Sequence, residues 1–322
     1  MKPRIVFMGT PDFAVESLEA ILEAGYSVVG VVTVPDRQTG RGLKITCSAV
    51  KECALKHNLP LLQPEKLRDE DFQQQLRAWN ADLFVVVAFR MLPKSVWAMP
   101  PMGTFNLHAS LLPQYRGAAP INWALINGEK ETGITTFLLN EKIDEGEILL
   151  QQKTAITPDD NAGTLHDRLA LMGRKLVVET IQGLMDHTLQ PRRQEECKMP
   201  IPSQQEFRPA PKIFKADCAI DWNRNGEELV NFVRGLSPYP AATMTMEDNK
   251  GQQQTFKIYE ISFEKDPSSA LFSVNADGKN YLKIGNRDGF INILSLQLNG
   301  KRKNSIAEFL RGYSVSDWKI VV

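Results

Sequence analysis

The sequence predicts an α/β protein in which a doubly wound, mostly parallel sheet is followed by a smaller β-barrel domain. Three observations predict it. Short, continuously apolar runs alternate with helical periodicity through the first half. A polar, proline-containing stretch breaks that alternation near residue 190. Beyond the break, short strand-like runs are separated by Gly, Asn and Asp turns.

Taken in order, Ile5–Met8 is a strand covered on both faces. Phe13, Val15, Leu18, Ile21 and Leu22 fall at helical spacing, and Gly25 closes that helix. Val28–Val34 is the second strand, and Ser48–His57 and Asp69–Trp79 are helices. Leu83–Ala88 and Thr104–His108 are buried strands, and Ala118–Ile126 is a helix after the Gly117 break. Ile134–Leu139 and Glu147–Gln151 flank a turn at Asp144-Glu145-Gly146, and a long helix runs from Thr164 to Met185. The expected organisation is a first domain over 1–189, a linker over 190–206 and a second domain over 207–322. In the second, a helix at Gly226–Gly235 precedes strands at Ala242–Met246, Thr255–Phe263, Tyr281–Ile284 and Phe290–Leu296.

At 322 residues the chain exceeds what one core usually organises, which agrees with two domains. Lys plus Arg and Asp plus Glu both number 38, so no global field draws in nucleic acid or an anionic membrane, and an RNA partner must be met by local patches. No stretch approaches the ~20 apolar residues of a membrane span. The apolar run at Ile5–Met8 is too short for a secretory signal. Cys47, Cys53, Cys197 and Cys218 are scattered without CxxC spacing, so free thiols in a reducing cytoplasm are expected and a cysteine zinc site is not. None of the four histidines is expected to have a ligand-like neighbour, so no metal is expected.

Ligands of open parallel sheets bind beyond the carboxyl ends of the strands. Asn106 and His108 stand there, two apart and therefore on one side of their strand. The irregular loop Ala109–Gly117 follows, with Pro113 close to the strand end. The run Asn106-Leu107-His108-Ala109-Ser110-Leu111-Leu112-Pro113, then Tyr115-Arg116-Gly117, resembles the signature of formyltransferases that use 10-formyltetrahydrofolate. Asp144, in Ile143-Asp144-Glu145-Gly146, matches the aspartate of that family. The frame from Phe7-Met8-Gly9-Thr10-Pro11-Asp12-Phe13 to Gly163-Thr164-Leu165 matches as well, and the resemblance covers nearly the whole chain. It implies a Rossmann-like catalytic domain and an OB-like C-terminal barrel.

The chemistry of such a transfer accounts for the residue types. An amine attacking a formyl carbon leaves negative charge on oxygen, and a carboxamide (Asn106) and a protonated imidazole (His108) can both donate to it. His108 can also carry protons from the incoming amine to the departing nitrogen. Asp144 would orient the imidazole and favour its charged form. The resemblance implies direct transfer, without a formyl-enzyme. It also implies a pterin slot lined by Phe89, Arg90, Met91, Leu92, Ser110, Leu111, Leu112 and Pro113, with Asp159–Gly163 helping to close it. Ser110 lacks a GxSxG elbow and is no hydrolase nucleophile. His57 and His187 read as helix-end or surface residues, and His166 as a face of the long helix.

The acceptor is read from another segment. Val34–Lys44 is a glycine-punctuated loop with three cations, Arg37, Arg41 and Lys44, suited to phosphates or a nucleic-acid groove. A solvated surface loop is the plainer reading of the charges alone. The PDRxxGRG pattern resembles the acceptor-stem loop of family members that act on charged initiator tRNA, with Arg41 closest to the acceptor end. In the second domain, Lys212, Lys215 and Lys301-Arg302-Lys303 are candidate phosphate contacts, and Trp222 reads as core. A monomer is expected. Formylation of a nucleotide-linked amino sugar is the alternative enzyme reading, against which the basic loop speaks. The purine-pathway members share Asn106, His108 and Asp144 but have no counterpart of 207–322. A non-catalytic RNA-binding protein would not need those three residues. A dinucleotide oxidoreductase is set aside because Gly9-Thr10-Pro11-Asp12 lacks the glycine pattern.

Overall fold

The structure is a computed structural model that describes residues 2–39, 44–197 and 207–321. Arg41 lies outside them, and of Lys44 only the backbone is described. By contacts the chain divides into two compact units: Met1–Gly117, Glu131–Thr154 and His166–Pro209 in the first, Ala118–Lys130, Ala155–Leu165 and Ala210–Val322 in the second. The division is therefore not one cut near residue 190.

In the first unit, β1 (Arg4–Gly9), α1 (Asp12–Glu23), β2 (Ser27–Val32), α2 (Ala49–Lys56), β3 (Leu61–Leu62), α3 (Glu70–Ala78), β4 (Leu83–Val87) and β5 (Thr104–His108) follow the expected alternation. Ser48 and Asp69 cap α2 and α3 through their side chains, as short polar residues at helix starts commonly do. The sheet continues with β6 (Glu131–Leu138) and β7 (Ile148–Ala155), in the order β7-β6-β5-β4-β1-β2-β3. Pairings among β1 to β5 are parallel, and β6 runs antiparallel to β5. The chain leaves β1 toward β2 and returns to β4 on the other side, so the strand order reverses between β1 and β4.

Ile5, Val6, Phe7 and Met8 are fully buried, which is why β1 reads as an unbroken apolar run rather than an alternating one. Burying each contributes about 1.5–3 kcal/mol. On one face Val6, Met8, Phe84 and Val86 pack against Phe72 and Leu76 of α3. The long helix α5 spans Ala162–Met185. The four cysteines are all free, as expected.

In the second unit, α4 (Pro120–Ile126) packs on α6 (Gly226–Leu236). Gly235 makes this approach possible, since a Cβ there would lie 2.6 Å from Ile126, and Asn122 donates to the Gly235 carbonyl at 2.7 Å. That contact groups residues 118–130 with the C-terminal part of the chain. The antiparallel strands β8 (Ala242–Glu247), β9 (Gln253–Lys265), β10 (Val274–Ala276), β11 (Leu282–Gly285), β12 (Gly289–Leu298) and β13 (Lys319–Val321) take the order β10-β11-β12-β9-β8-β13 and form a nearly closed barrel. Its core holds Trp222, Phe256, Ile258 and Ile293, so Trp222 is core as expected. A short helix, α7 (Ile306–Leu310), also contributes to that core. Among the described residues no helix is long and apolar enough to cross a membrane.

Candidate active site

β5 is an inner strand, and its position fixes the first two candidate side chains. Asn106 pairs with Val86 on one side and Phe137 on the other, and His108 sits opposite Thr135. Asn106 is half-buried and its Oδ1 is fully shielded without a hydrogen-bond partner. Leaving such an atom unpaired costs about 1–3 kcal/mol. His108 is buried, and its Nε2 donates to the Tyr115 carbonyl at 2.8 Å. Its Nδ1 stands 3.9 Å from Asp144 Oδ2, close enough for Coulomb attraction but too long for a hydrogen bond. The ring is therefore fixed by Tyr115 and only faced by Asp144.

Asp144 is kept at that distance by its own partners. Its Oδ2 accepts the Gly117 N–H at 2.9 Å. Its backbone is left-handed (φ 53°), as are those of Tyr115 (φ 60°) and of Ala88 at the end of β4 (φ 46°). Non-glycine residues in that region cost about 1–3 kcal/mol each and persist where surroundings dictate them. Gln194 dictates the Asp144 turn. Its Nε2 donates to the carbonyls of Asp144 (2.9 Å) and Gly146 (2.8 Å), and its Oε1 accepts from Arg116 Nε and Nη2. Gly146 completes the turn, because a Cβ there would collide with the Leu138 carbonyl. Gln194 belongs to the stretch expected as linker, yet it is fully buried. The linker reading thus missed a buried residue that holds the Asp144 turn; a lone glutamine among polar residues gives no periodic signal.

The loop after β5 is held from beneath. Ser110 Oγ donates to the Gln114 carbonyl at 2.6 Å and is fully buried. Thr135 donates to Ser110 O and accepts from Leu112 N, while Gln151 donates to Leu112 O. Leu111, Leu112 and Pro113 are buried, and the Leu112–Pro113 peptide is cis. After β4, Leu92 is core, whereas Met91 is 67% exposed. Arg90 turns away to the carbonyls of Pro64 and Glu65, with its guanidinium 5.4 Å from the Phe89 ring centre. Burial, and then the charge of Arg37, draws the Arg90 guanidinium below its usual value. Met91, Leu92 and Pro93 line a cavity of about 350 Å³ with Lys66, Leu67 and Arg68. Those last three carry no pattern that sequence reasoning could have used.

At the base of the basic loop, Asp36 is pinned by Lys51 (2.6 Å) and Gln63 (2.8 Å), and Arg37 is exposed. The backbone around it forms a hairpin of Arg37–Thr39 with Lys44–Thr46. In the second unit, Lys301, Arg302 and Lys303 are all exposed, with Lys303 over the Tyr259 ring. Lys212 lies over the Phe214 ring, which is 61% exposed.

A family model described as formyl transferase matches residues 3–181, and one described as formyl transferase, C-terminal domain, matches 212–314. The methionyl-tRNA formyltransferase of Bacteroides thetaiotaomicron is 53% identical over 315 residues, covering 98% of this chain and 97% of its own. The chain belongs to the methionyl-tRNA formyltransferase family. The Flavobacterium johnsoniae member is 50% identical, with 98% of both chains covered. Among solved structures, the sugar 3N-formyltransferase WlaRD, crystallised with dTDP and 5-N-formyl-THF, is similar over 94% of this chain and 100% of its own (TM-score 0.62, 19% identity). Glycinamide ribonucleotide transformylase 1 from Symbiobacterium toebii matches 60% of this chain and 94% of its own (TM-score 0.51, 20% identity). A methionyl-tRNA formyltransferase is a formyl-transferring enzyme, so that general activity holds for this chain.

One expectation needs correction. His57 does have ligand-like neighbours: Glu19 and Cys53 place donor atoms within 4.8 Å of one another and of its ring. The neighbourhood arises where α1 meets α2, a contact that sequence spacing does not show.

Proposed function

We propose that this chain moves the formyl group of 10-formyltetrahydrofolate to the free amino group of methionyl initiator tRNA, with Asn106, His108 and Asp144 carrying the chemistry. The observation behind the roles is an incomplete polar set at one strand end. The Asn106 carboxamide has an orphaned end, and His108 Nδ1 lacks a hydrogen bond among the described residues. Both have capacity left for a substrate. The Nδ2–H end of the carboxamide, which is not the shielded one, donates to the transferred group's oxygen as charge develops there. Asp144, 3.9 Å away, stabilises the imidazolium without taking up its Nδ1–H. His108, neutral as the amine attacks, takes the amine's proton at Nδ1, donates to the oxyanion as the imidazolium, and returns the proton to the folate nitrogen as the bond from that nitrogen to the formyl carbon breaks. Ser110 takes no part, because its hydroxyl is buried and committed to Gln114.

The loop after β4 supplies the folate side. Met91, Leu92 and Pro93 give the cavity an apolar wall, and Lys66 and Arg68 give it a cationic one suited to folate carboxylates. Phe89, Arg90 and the Ser110–Pro113 loop shape the surroundings. Arg37, Arg41 and Lys44 meet the acceptor end of the tRNA. The near-full-length likeness to methionyl-tRNA enzymes supports this acceptor over an amino sugar. The test supplies labelled 10-formyltetrahydrofolate with either charged initiator tRNA or an amino-sugar nucleotide. Label in the tRNA is expected, and label only in the sugar would overturn the reading. Arg41→Ala is expected to raise KM for tRNA well above any change for folate; equal changes would remove the loop's role.

A further inference from the structure

The geometry points to a binding site for one transition-metal dication of the zinc class formed by Glu19, Cys53 and His57. Cys53 and His57 are four apart at the C-terminal end of α2 and so share one face of it. Glu19 reaches them from α1. Its Oε2 lies 2.9 Å from His57 Nε2 and its Oε1 lies 3.6 Å from Cys53 Sγ, and all three donor atoms fall within 4.8 Å of one another. One sulfur, one imidazole nitrogen and one carboxylate oxygen are a donor set for zinc or cobalt, whereas magnesium and calcium take oxygen almost alone.

The surroundings fit. The Cys53 side chain is buried, while the side chains of His57 and Glu19 are 31% and 20% exposed, so an ion can enter and a water can complete the tetrahedron. Lys56 now holds Glu19 Oε1 at 3.0 Å, but it is 68% exposed and can turn into solvent when a stronger charge arrives. Burial, with the Glu19 charge beside it, pushes the Cys53 thiol up to about 12, so without metal it keeps its proton. Metal–sulfur bond formation releases that proton to water, and the Nε2–H that now faces Glu19 is given up as well, the ring keeping its proton on Nδ1, so that the Nε2 lone pair meets the ion. The ion would tie α1 to α2, and it stands apart from the groups assigned to formyl transfer.

The test titrates the chelator-stripped full chain with cobalt(II). A thiolate-to-cobalt charge-transfer band saturating at one equivalent, displaced by zinc, is expected, with a metal-dependent rise in Tm. Cys53→Ser should abolish the band and Cys47→Ser should leave it. Glu19→Gln and His57→Ala should each weaken cobalt binding at least about tenfold. No band in the native chain, or a band that survives Cys53→Ser, overturns the site. If Cys53→Ser does not fold, unchanged affinity in both Glu19→Gln and His57→Ala overturns it instead.

Discussion

Two imidazole–carboxylate pairs in the first unit differ in a way that bears on function. At His57 the carboxylate of Glu19 closes onto the ring at 2.9 Å, and Lys56 adds a second bond. At His108 the carboxylate of Asp144 is held back at 3.9 Å by the Gly117 amide, on a turn clamped by Gln194. The first pair satisfies itself and ties two helices together. The second withholds its contact and leaves Nδ1, along with the Asn106 carboxamide, for something else to meet. A short contact supports structure; an enforced gap beside a buried ring preserves chemical capacity.

The comparison breaks first at His108. His108→Ala is expected to lower kcat about 10²–10⁴-fold while circular dichroism and Tm stay near native. Near-normal formyl transfer would remove the imidazole from the mechanism. Asp144→Asn keeps an oxygen for the Gly117 amide but removes the charge, so a fall in kcat of about 10²-fold is expected with little change in either KM. Steady-state kinetics that show a KM effect alone would make Asp144 a binding group.

Gln194→Ala sharpens the contrast because Gln194 holds the Asp144 turn without a hydrogen bond to His108. It strands the carbonyls of Asp144 and Gly146, which should cost about 1–3 kcal/mol in urea unfolding. A drop in kcat of roughly tenfold should accompany it, as expected when a catalytic group shifts slightly. Loss of stability with kcat intact would show that the clamp positions nothing.

The smallest effect belongs to the closed pair. Burial raises the Glu19 pKa, but hydrogen bonds from Lys56 and His57 outweigh it and hold the carboxyl below its usual value. A carboxylate depressed in the folded state stabilises above its unfolded value, and that contribution is lost as pH falls through the folded one. Glu19→Gln should therefore cost up to about 1 kcal/mol near neutrality, the gap to the native chain closing under acid. A gap that widens on acidification would reverse the assignment.

Much of this molecule was legible in its residues. The buried run at Ile5–Met8, the helices starting at Ser48 and Asp69, and the barrel strands after Ala242 follow from periodicity and turn chemistry, which act within a few residues. Asn106 and His108 were legible as a pair because a strand puts alternate residues on one side, and Asp144 because its segment resembles a family motif. The clamp from Gln194, the cavity wall at Lys66–Arg68 and the meeting of Glu19 with Cys53 and His57 were not. Each brings together residues about 25 to 80 positions apart, a spacing that leaves no period behind. The chain's local pattern determined which elements form and which strand end bears polar groups. Only the packing of those elements decided that Asp144 faces His108 across a gap while Glu19 closes on His57, because such distances are set by side chains converging from separate segments.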